Sequence, residues 1–232
     1  MSEHAVKAVI FDLDNTLMDR DYTFGAFSRL LIKDYLGHIQ DQEKVRDILG
    51  YMRIADADGY REKRGFFEEL VERLPWSQKP DADMLYSYYK EHYMKEARLM
   101  KGAMEAIQSC RDKGYKLGML TNGLYEIQYG KVLHLGLEKH FDVILTSGEA
   151  GIKKPDRRIY EMILERLGTS GEETVFVGDH PENDIWGAAQ AGMRGIFLKR
   201  SFDWDHTLGM EPWKRIKELN ELEGIWNNTI LN

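Results

Sequence analysis

The sequence predicts an α/β fold, a parallel sheet interrupted by a separate all-helical segment, and three observations carry that prediction. Short apolar, β-branched runs alternate with helical patterns. Polar or acidic turns follow the ends of most of those runs. About a hundred residues of purely helical pattern separate the first run from the second.

The first run, residues 7–11 (KAVIF), reads as a buried strand entering an acidic loop. Similar runs follow at 116–121 (KLGMLT), 142–146 (DVILT), 174–178 (TVFVG) and 195–198 (GIFL). Helical patterns precede or separate them, and strands joined through helices make right-handed crossovers in a parallel sheet. Between residues 21 and 99 the apolar positions recur at helical spacing: Phe24, Phe27, Leu30 and Leu31; Val45, Ile48, Leu49 and Met52; Phe66, Phe67, Leu70, Val71 and Leu74; Met84, Leu85, Tyr88 and Tyr89. Four helices are expected there, with a loop around Pro75 to Pro80 and a return linker at residues 100–102. The domain reading is an α/β core of residues 1–18 and 99–232 and a four-helix domain of residues 19–98. In the tail, a helix is expected over residues 212–222, with Trp204, Trp213 and Trp226 packing it against the core.

Composition narrows the function classes. With 43% apolar and 31% charged residues and 5 prolines in 232 positions, the chain reads as an ordinary globular protein able to bury a core. No stretch approaches the roughly 18 apolar residues that span a bilayer, and no basic segment precedes an apolar leader, so a cytoplasmic location and no membrane partner are expected. The one cysteine, Cys110, cannot form an intramolecular disulfide, and no Cys/His cluster has zinc-ligand spacing. A net charge of −7 offers no long-range attraction to nucleic acid, so no nucleic-acid polymer is expected as partner; an anionic substrate would need local positive charge. The one basic cluster, Lys153, Lys154, Arg157 and Arg158, is short and interrupted by Pro155 and Asp156. A monomer or homodimer is expected.

Four short segments carry candidate chemistry. Asp12 and Asp14 lie two residues apart just after the first strand, so in extended chain both carboxylates point one way; metal binding or acid/base work fits, and so does a solvated loop. Leu120-Thr121-Asn122-Gly123 ends the second strand with a hydroxyl and backbone N–H groups suited to phosphate oxygens, or simply with a turn. In Lys153-Lys154-Pro155 a lysine beside proline is either rigidly aimed or a solvated surface residue. After the fourth strand come Asp179 and then Asp184, which Pro181 would set early in a helix near its positive end. Parallel strands bring these segments to one carboxyl edge, where α/β folds bind ligands.

FDLDNTL, LTNG, a Lys-Pro and GDHPEND, in this order and spacing, resemble the haloacid dehalogenase-like (HAD) hydrolase superfamily. Its core motifs match residues 7–17 and 101–198, and 21–99 resembles the helical cap that one large subgroup inserts after its first motif. The resemblance implies a Rossmann-like core and a phosphomonoester hydrolase. Asp12 would be the nucleophile that forms an aspartyl-phosphate, and Asp14 the general acid/base. It further implies Mg²⁺ held by the Asp12 carboxylate, the Asp14 backbone carbonyl and the Asp179 carboxylate. Thr121, the Asn122 backbone N–H and Lys154 would bind the phosphoryl group, Lys154 being preferred to Lys153 because the family sets its lysine directly before the proline. Asp184 would orient neighbouring groups, and His180 and Asn183 are further candidates to touch metal-bound water.

The substrate implied is a small phosphorylated metabolite. LTNG followed by Gln128 and Lys131 resembles pyrimidine 5′-nucleotidases and acylneuraminate-9-phosphatases, which points to a nucleoside 5′-monophosphate. A phosphosugar phosphatase and a β-phosphoglucomutase-like mutase are the alternatives. Haloacid dehalogenases dispense with Mg²⁺ and usually lack an acid where Asp14 stands, and a non-catalytic module that binds phosphorylated ligands would not require the full set of charged residues. Specificity is expected from the cap, through Arg20, Tyr22, Arg61, Lys63 and Arg64.

Overall fold

Four apolar residues in a row can be buried on both faces only inside a sheet. In the computed structural model, which describes residues 5–229, they form its wholly buried inner strand β1 (Ala8–Phe11). Four helices follow: α1 (Arg20–Tyr35), α2 (Gln42–Asp56), α3 (Lys63–Arg73) and α4 (Ala82–His92). The chain then alternates through α5 (Ala103–Asp112), β2 (Lys116–Thr121), α6 (Tyr125–His134), β3 (Val143–Thr146), the single turn α7 (Ser147–Ala150), α8 (Arg157–Leu167) and β4 (Thr174–Gly178). A π-helical turn at Pro181–Trp186 runs into α9 (Gly187–Gln190), followed by β5 (Arg194–Leu198), β6 (Lys214–Ile216) and α10 (Glu221–Thr229). No helix among the described residues is long and apolar enough to cross a membrane.

The strands form one parallel sheet in the order β3-β2-β1-β4-β5-β6. Chain order runs outward from β1 in one direction and then, from β4, in the other, so the connections leaving β1 and β4 diverge and open a crevice at the carboxyl edge. In register, Ile10 of β1 lies opposite Gly118 of β2 and Phe176 of β4. A Cβ at Gly118 would stand 3.0 Å from both Ile10 Cγ1 and Leu167 Cδ1, so the glycine lets α8 close on the sheet. Helix α8 starts where Asp156 accepts the Arg158 N–H and ends at Gly168, φ 64°. Between these caps Ile159, Tyr160, Ile163, Leu164 and Leu167 recur at helical spacing against Ala8, Ile10, Leu120 and Leu145. Each large side chain so buried stabilises the fold by about 1.5–3 kcal/mol.

The described residues divide into two compact units, one of the chain up to Asp19 together with Leu99 onward, the other of Arg20–Arg98. The second unit is all-helical, and its core is aromatic: Phe27 meets Tyr89 edge-on at 5.4 Å and Phe66 meets Phe67 at 4.9 Å. Its helix starts are capped by side chains. Asp41, Glu62 and Asp81 accept backbone N–H groups of the first turns of α2, α3 and α4.

The tail departs from expectation. Residues 214–216 form β6 instead of the start of a helix, because β5 presents an open edge and the backbone pairs with it. The Trp213 N–H donates to the Gly195 carbonyl and the Lys199 N–H to the Ile216 carbonyl, each at 2.9 Å. Helix α10 begins at Glu221, where Leu222 and Trp226 supply a buried stripe. Trp226 packs edge-on against Tyr115 at 5.5 Å, whereas Trp204 lies against Phe197 and Trp213 beneath the Arg194 guanidinium, away from the helix expected between them.

Candidate active site

The site grows out of the strand ends. The Asp12 N–H donates to the Val177 carbonyl at 3.0 Å, extending the β1–β4 ladder by one step and fixing Asp12 at the carboxyl edge. Beyond it the chain turns tightly. The Leu13 carbonyl accepts the Leu17 and Met18 N–H groups at 3.0 and 2.8 Å, and Asn15 takes the left-handed conformation, φ 60°.

Asp12 and Lys154 are 6% and 3% exposed. The Lys154 ammonium donates to Asp12 Oδ1 at 2.8 Å, Asp184 Oδ1 at 2.7 Å and the Leu120 carbonyl at 3.0 Å, matching three hydrogens with three acceptors. Asn122 locks the lysine's backbone from both sides: its Oδ1 accepts the Lys154 N–H at 2.9 Å and its Nδ2 donates to the Lys154 carbonyl at 3.0 Å. Lys153 is exposed.

Asp184 lies on the π-helical turn, where an ordinary α-helical start was expected. Its Oδ2 accepts the His180 N–H at 2.9 Å. A Cβ at Gly178 would fall 2.4 Å from Asp184 Cγ, so the glycine before Asp179 is what admits this carboxylate to the strand end. His180 Nδ1 accepts the Glu182 and Asn183 N–H groups at 3.2 and 3.1 Å, so the imidazole caps the turn. The Asn183 carbonyl accepts the Tyr160 hydroxyl.

Carboxylate oxygens of Asp12, Asp179 and Asp184, all buried, lie within 4.8 Å of one another. Inside this cluster the Lys154 ammonium is shared by Asp12 and Asp184, and the all-oxygen donor set of the three carboxylates suits a hard divalent cation such as Mg²⁺. Burial pushes the Asp12 carboxyl up from its ordinary 3.8 to about 7; Asp184 adds to that rise and Lys154 opposes it. For Lys154, burial favours the neutral amine, but Asp12 and Asp184 together hold the ammonium above the ordinary lysine value.

Asp14 sits in a second cluster. Lys131 Nζ donates to its two carboxylate oxygens at 2.8 and 2.9 Å, and Gln128 Nε2 donates to Asp14 Oδ2 at 3.0 Å and to Thr121 Oγ1 at 2.5 Å. The Gln128 Oε1 accepts from Lys131 at 2.6 Å. In the sequence Gln128 and Lys131 stand out only as a mark of resemblance. The overlooked signal is their spacing: at i and i+3 they share the buried face of α6 with Ile127 and Val132, where polar side chains need partners.

The basic residues expected to reach substrate from the helical unit have carboxylate partners within that unit. Arg20 meets Asp56 at 2.5 Å, Lys63 the same Asp56 at 2.7 Å, Arg61 meets Glu69 at 2.5 Å and Arg64 meets Asp83 at 3.4 Å. Tyr22 is partly exposed, with the Arg98 guanidinium 3.6 Å over its ring.

Known proteins place this geometry in context. A phosphoserine phosphatase of Thermus thermophilus is 33% identical over 62% of this chain, a match that spans 56% of that protein. A glyceraldehyde 3-phosphate phosphatase of Methanothermobacter thermautotrophicus is 32% identical over 83% of this chain and 85% of its own length. The pyrimidine 5′-nucleotidase PynA of Streptococcus pneumoniae is 29% identical over 97% of both. The HAD-hydrolase YfnB of Bacillus subtilis, solved bound to magnesium, shares the fold at a TM-score of 0.77 and 24% identity over 97% of this chain and all of that one. A profile of haloacid dehalogenase-like hydrolases matches residues 6–192, and the chain belongs to that family of enzymes, whose relatives here are named as phosphatases.

Proposed function

We propose that the chain is a Mg²⁺-dependent phosphomonoesterase that works through an aspartyl-phosphate on Asp12. One observation carries this reading: two carboxylates two residues apart have different surroundings. Asp12 is gripped by Lys154 in the buried acidic cluster, whereas Asp14 is held by Gln128 and Lys131 and is 24% exposed. Divergent environments suit division into nucleophile and proton carrier.

In the first half-reaction the Asp12 carboxylate forms a bond to phosphorus as the P–O bond to the leaving group breaks. The departing alkoxide keeps that electron pair and takes a proton from Asp14. In the second, water attacks the phosphorus of the aspartyl-phosphate, the bond to Asp12 breaks, and Asp14 accepts the proton from water. Thr121 and the Asn122 N–H would bind phosphoryl oxygens, and Lys154 would offset negative charge at Asp12 and the phosphoryl group. Bound by Asp12, the Asp14 carbonyl and Asp179, Mg²⁺ would supply Lewis-acid charge stabilisation, with Asp184 orienting Lys154. Turnover of p-nitrophenyl phosphate that requires Mg²⁺ and disappears in Asp12→Asn supports this reading. A folded wild-type protein without such turnover refutes it.

For the substrate we propose a nucleoside 5′-monophosphate, supported by the end-to-end match with PynA and by Gln128 and Lys131 after LTNG. A triose phosphate is the second reading, favoured by the glyceraldehyde 3-phosphate phosphatase relative. Steady-state kcat/KM across nucleoside 5′-monophosphates, glyceraldehyde 3-phosphate, phosphoserine and β-glucose 1-phosphate separates them. At least a roughly tenfold preference for nucleotides, 1.4 kcal/mol in the transition state, is expected. Equal rates across the classes refute a dedicated nucleotidase, and conversion of β-glucose 1-phosphate to the 6-phosphate would mark a mutase.

A further inference from the structure

Lys131 is 2% exposed and Gln128 is 2% exposed on the inward face of α6, and burying an ammonium is costly unless its partners hold it closely. The partners here have a directional logic. One ammonium contacts both oxygens of Asp14, while Gln128 pins Oδ2, so the carboxylate plane cannot turn without breaking a hydrogen bond. Lys131 also donates to Gln128 Oε1, which fixes the amide with its Nε2 toward Asp14 and Thr121. Thr121 Oγ1 therefore accepts from Gln128, and its own hydrogen is left to be donated elsewhere, as a phosphoryl oxygen requires.

We infer that Lys131 and Gln128 are positioning residues for the hydrolysis, fixing the direction of the Asp14 carboxylate and the donor sense of the Thr121 hydroxyl as one unit. This rests on the reading of Asp14 as proton carrier. Lys131 contacts Asp14 directly and Thr121 only through Gln128, so its loss falls mainly on the two proton transfers and less on attack by Asp12 on phosphorus.

p-Nitrophenyl phosphate separates these steps, because p-nitrophenolate leaves without needing a proton, whereas hydrolysis of the aspartyl-phosphate still needs a base. In Lys131→Met, turnover of alkyl phosphates such as a nucleoside 5′-monophosphate should fall by roughly 10²-fold, within the range of general acid/base catalysis. With p-nitrophenyl phosphate, stopped flow should show one equivalent of p-nitrophenolate released rapidly per enzyme, followed by a slow steady state. Asp14→Asn should give the same pattern, and the double variant should be no slower than Asp14→Asn alone. Lys131→Gln, which keeps a neutral donor and serves if the methionine variant does not fold, should show a smaller loss of the same kind. A burst slowed as much as the steady state, or additive losses in the double variant, would overturn the inference. An Asp14→Asn enzyme that still turns over alkyl phosphates at the wild-type rate would instead remove the acid/base reading beneath it.

Discussion

Two buried charge clusters, one in each unit, use the same residue types to opposite ends. In the helical unit Asp56, 1% exposed, is met by both Arg20 and Lys63, and Arg20 also reaches Asp58 at 3.3 Å, so two cations face two carboxylates. In the α/β unit the Lys154 ammonium is shared by Asp12 and Asp184, and the Asp179 carboxylate lies within 4.8 Å of theirs. A balanced cluster has its charges satisfied by protein alone and suits a structural role. Three carboxylates gathered in a more deeply buried, acid-rich cluster suit the uptake of a cation and, with it, a phosphoryl group.

The largest effect should come from removing the Lys154 ammonium from the acid-rich cluster. Lys154→Met leaves Asp12 and Asp184 buried against each other, and losing one partner of a buried pair costs about 3–5 kcal/mol. Turnover of p-nitrophenyl phosphate should fall by about 10³-fold or more, in line with the loss of a major electrostatic contact in a buried site. Mg²⁺ should raise the Tm of this variant more than that of wild type, because the ion replaces part of the missing charge. Equal Mg²⁺ shifts in the two proteins would break the contrast between clusters.

Next in size is a pH effect at Asp12. Its carboxyl is raised from 3.8 to about 7, so between these values the folded state binds more protons than the unfolded one. The stabilising contribution is full below about 3.8 and is lost as pH rises through about 7. Without Mg²⁺, Asp12→Asn should therefore be more stable than wild type at pH 8, with the difference shrinking as the pH falls through that window. Urea denaturation at several pH values with and without Mg²⁺ measures it, and Mg²⁺ should narrow the gap by favouring the ionised carboxylate. A gap that widens toward acid would contradict the assigned direction.

The same contrast explains what could be read from sequence. Strand ends such as Phe11-Asp12 and Gly178-Asp179 are local signals, an apolar run meeting an acidic turn, and one parallel sheet is enough to bring them to one edge. Lys131 and Asp14 are 117 positions apart, and Arg20 and Asp56 are 36 apart, so no local pattern pairs them. Arg20, Arg61, Lys63 and Arg64 consequently read as substrate contacts, and their carboxylate partners come into view only in the fold. Strand β6 was hidden for a related reason: residues 214–216 are strand because of the edge of β5, and their own composition reads equally as helix. The π-helical turn is likewise invisible to a period of 3.6 residues.

In the balanced cluster the effects should be smaller and confined to stability. Arg20→Met removes the closest partner of Asp56 and leaves Lys63 in place, so about 2–3 kcal/mol of destabilisation is expected, less than the roughly 3–5 kcal/mol of a buried pair broken outright. The kcat for p-nitrophenyl phosphate at 25 °C should stay within roughly threefold of wild type, well short of the tenfold that 1.4 kcal/mol in the transition state would give. A large fall in kcat without loss of Tm would return Arg20 to the list of substrate contacts.

The smallest effect belongs to Lys63, and it sharpens the comparison most. Its side chain is 17% exposed, and its ammonium lies 2.7 Å from Asp56 and 5.8 Å from the centroid of the Phe66 ring. In Lys63→Met the thioether can keep packing on Phe66 while Asp56 retains Arg20, so the loss should be near 1 kcal/mol, below the about 1.5–3 kcal/mol of a charge-assisted hydrogen bond lost with nothing in its place. The double variant Arg20→Met/Lys63→Met strands Asp56 and should lose clearly more than the sum of the single losses, because each cation covers for the other. If the two losses merely add, Asp56 is not shared, and the distinction between a balanced and an acid-rich cluster fails where it should be easiest to measure.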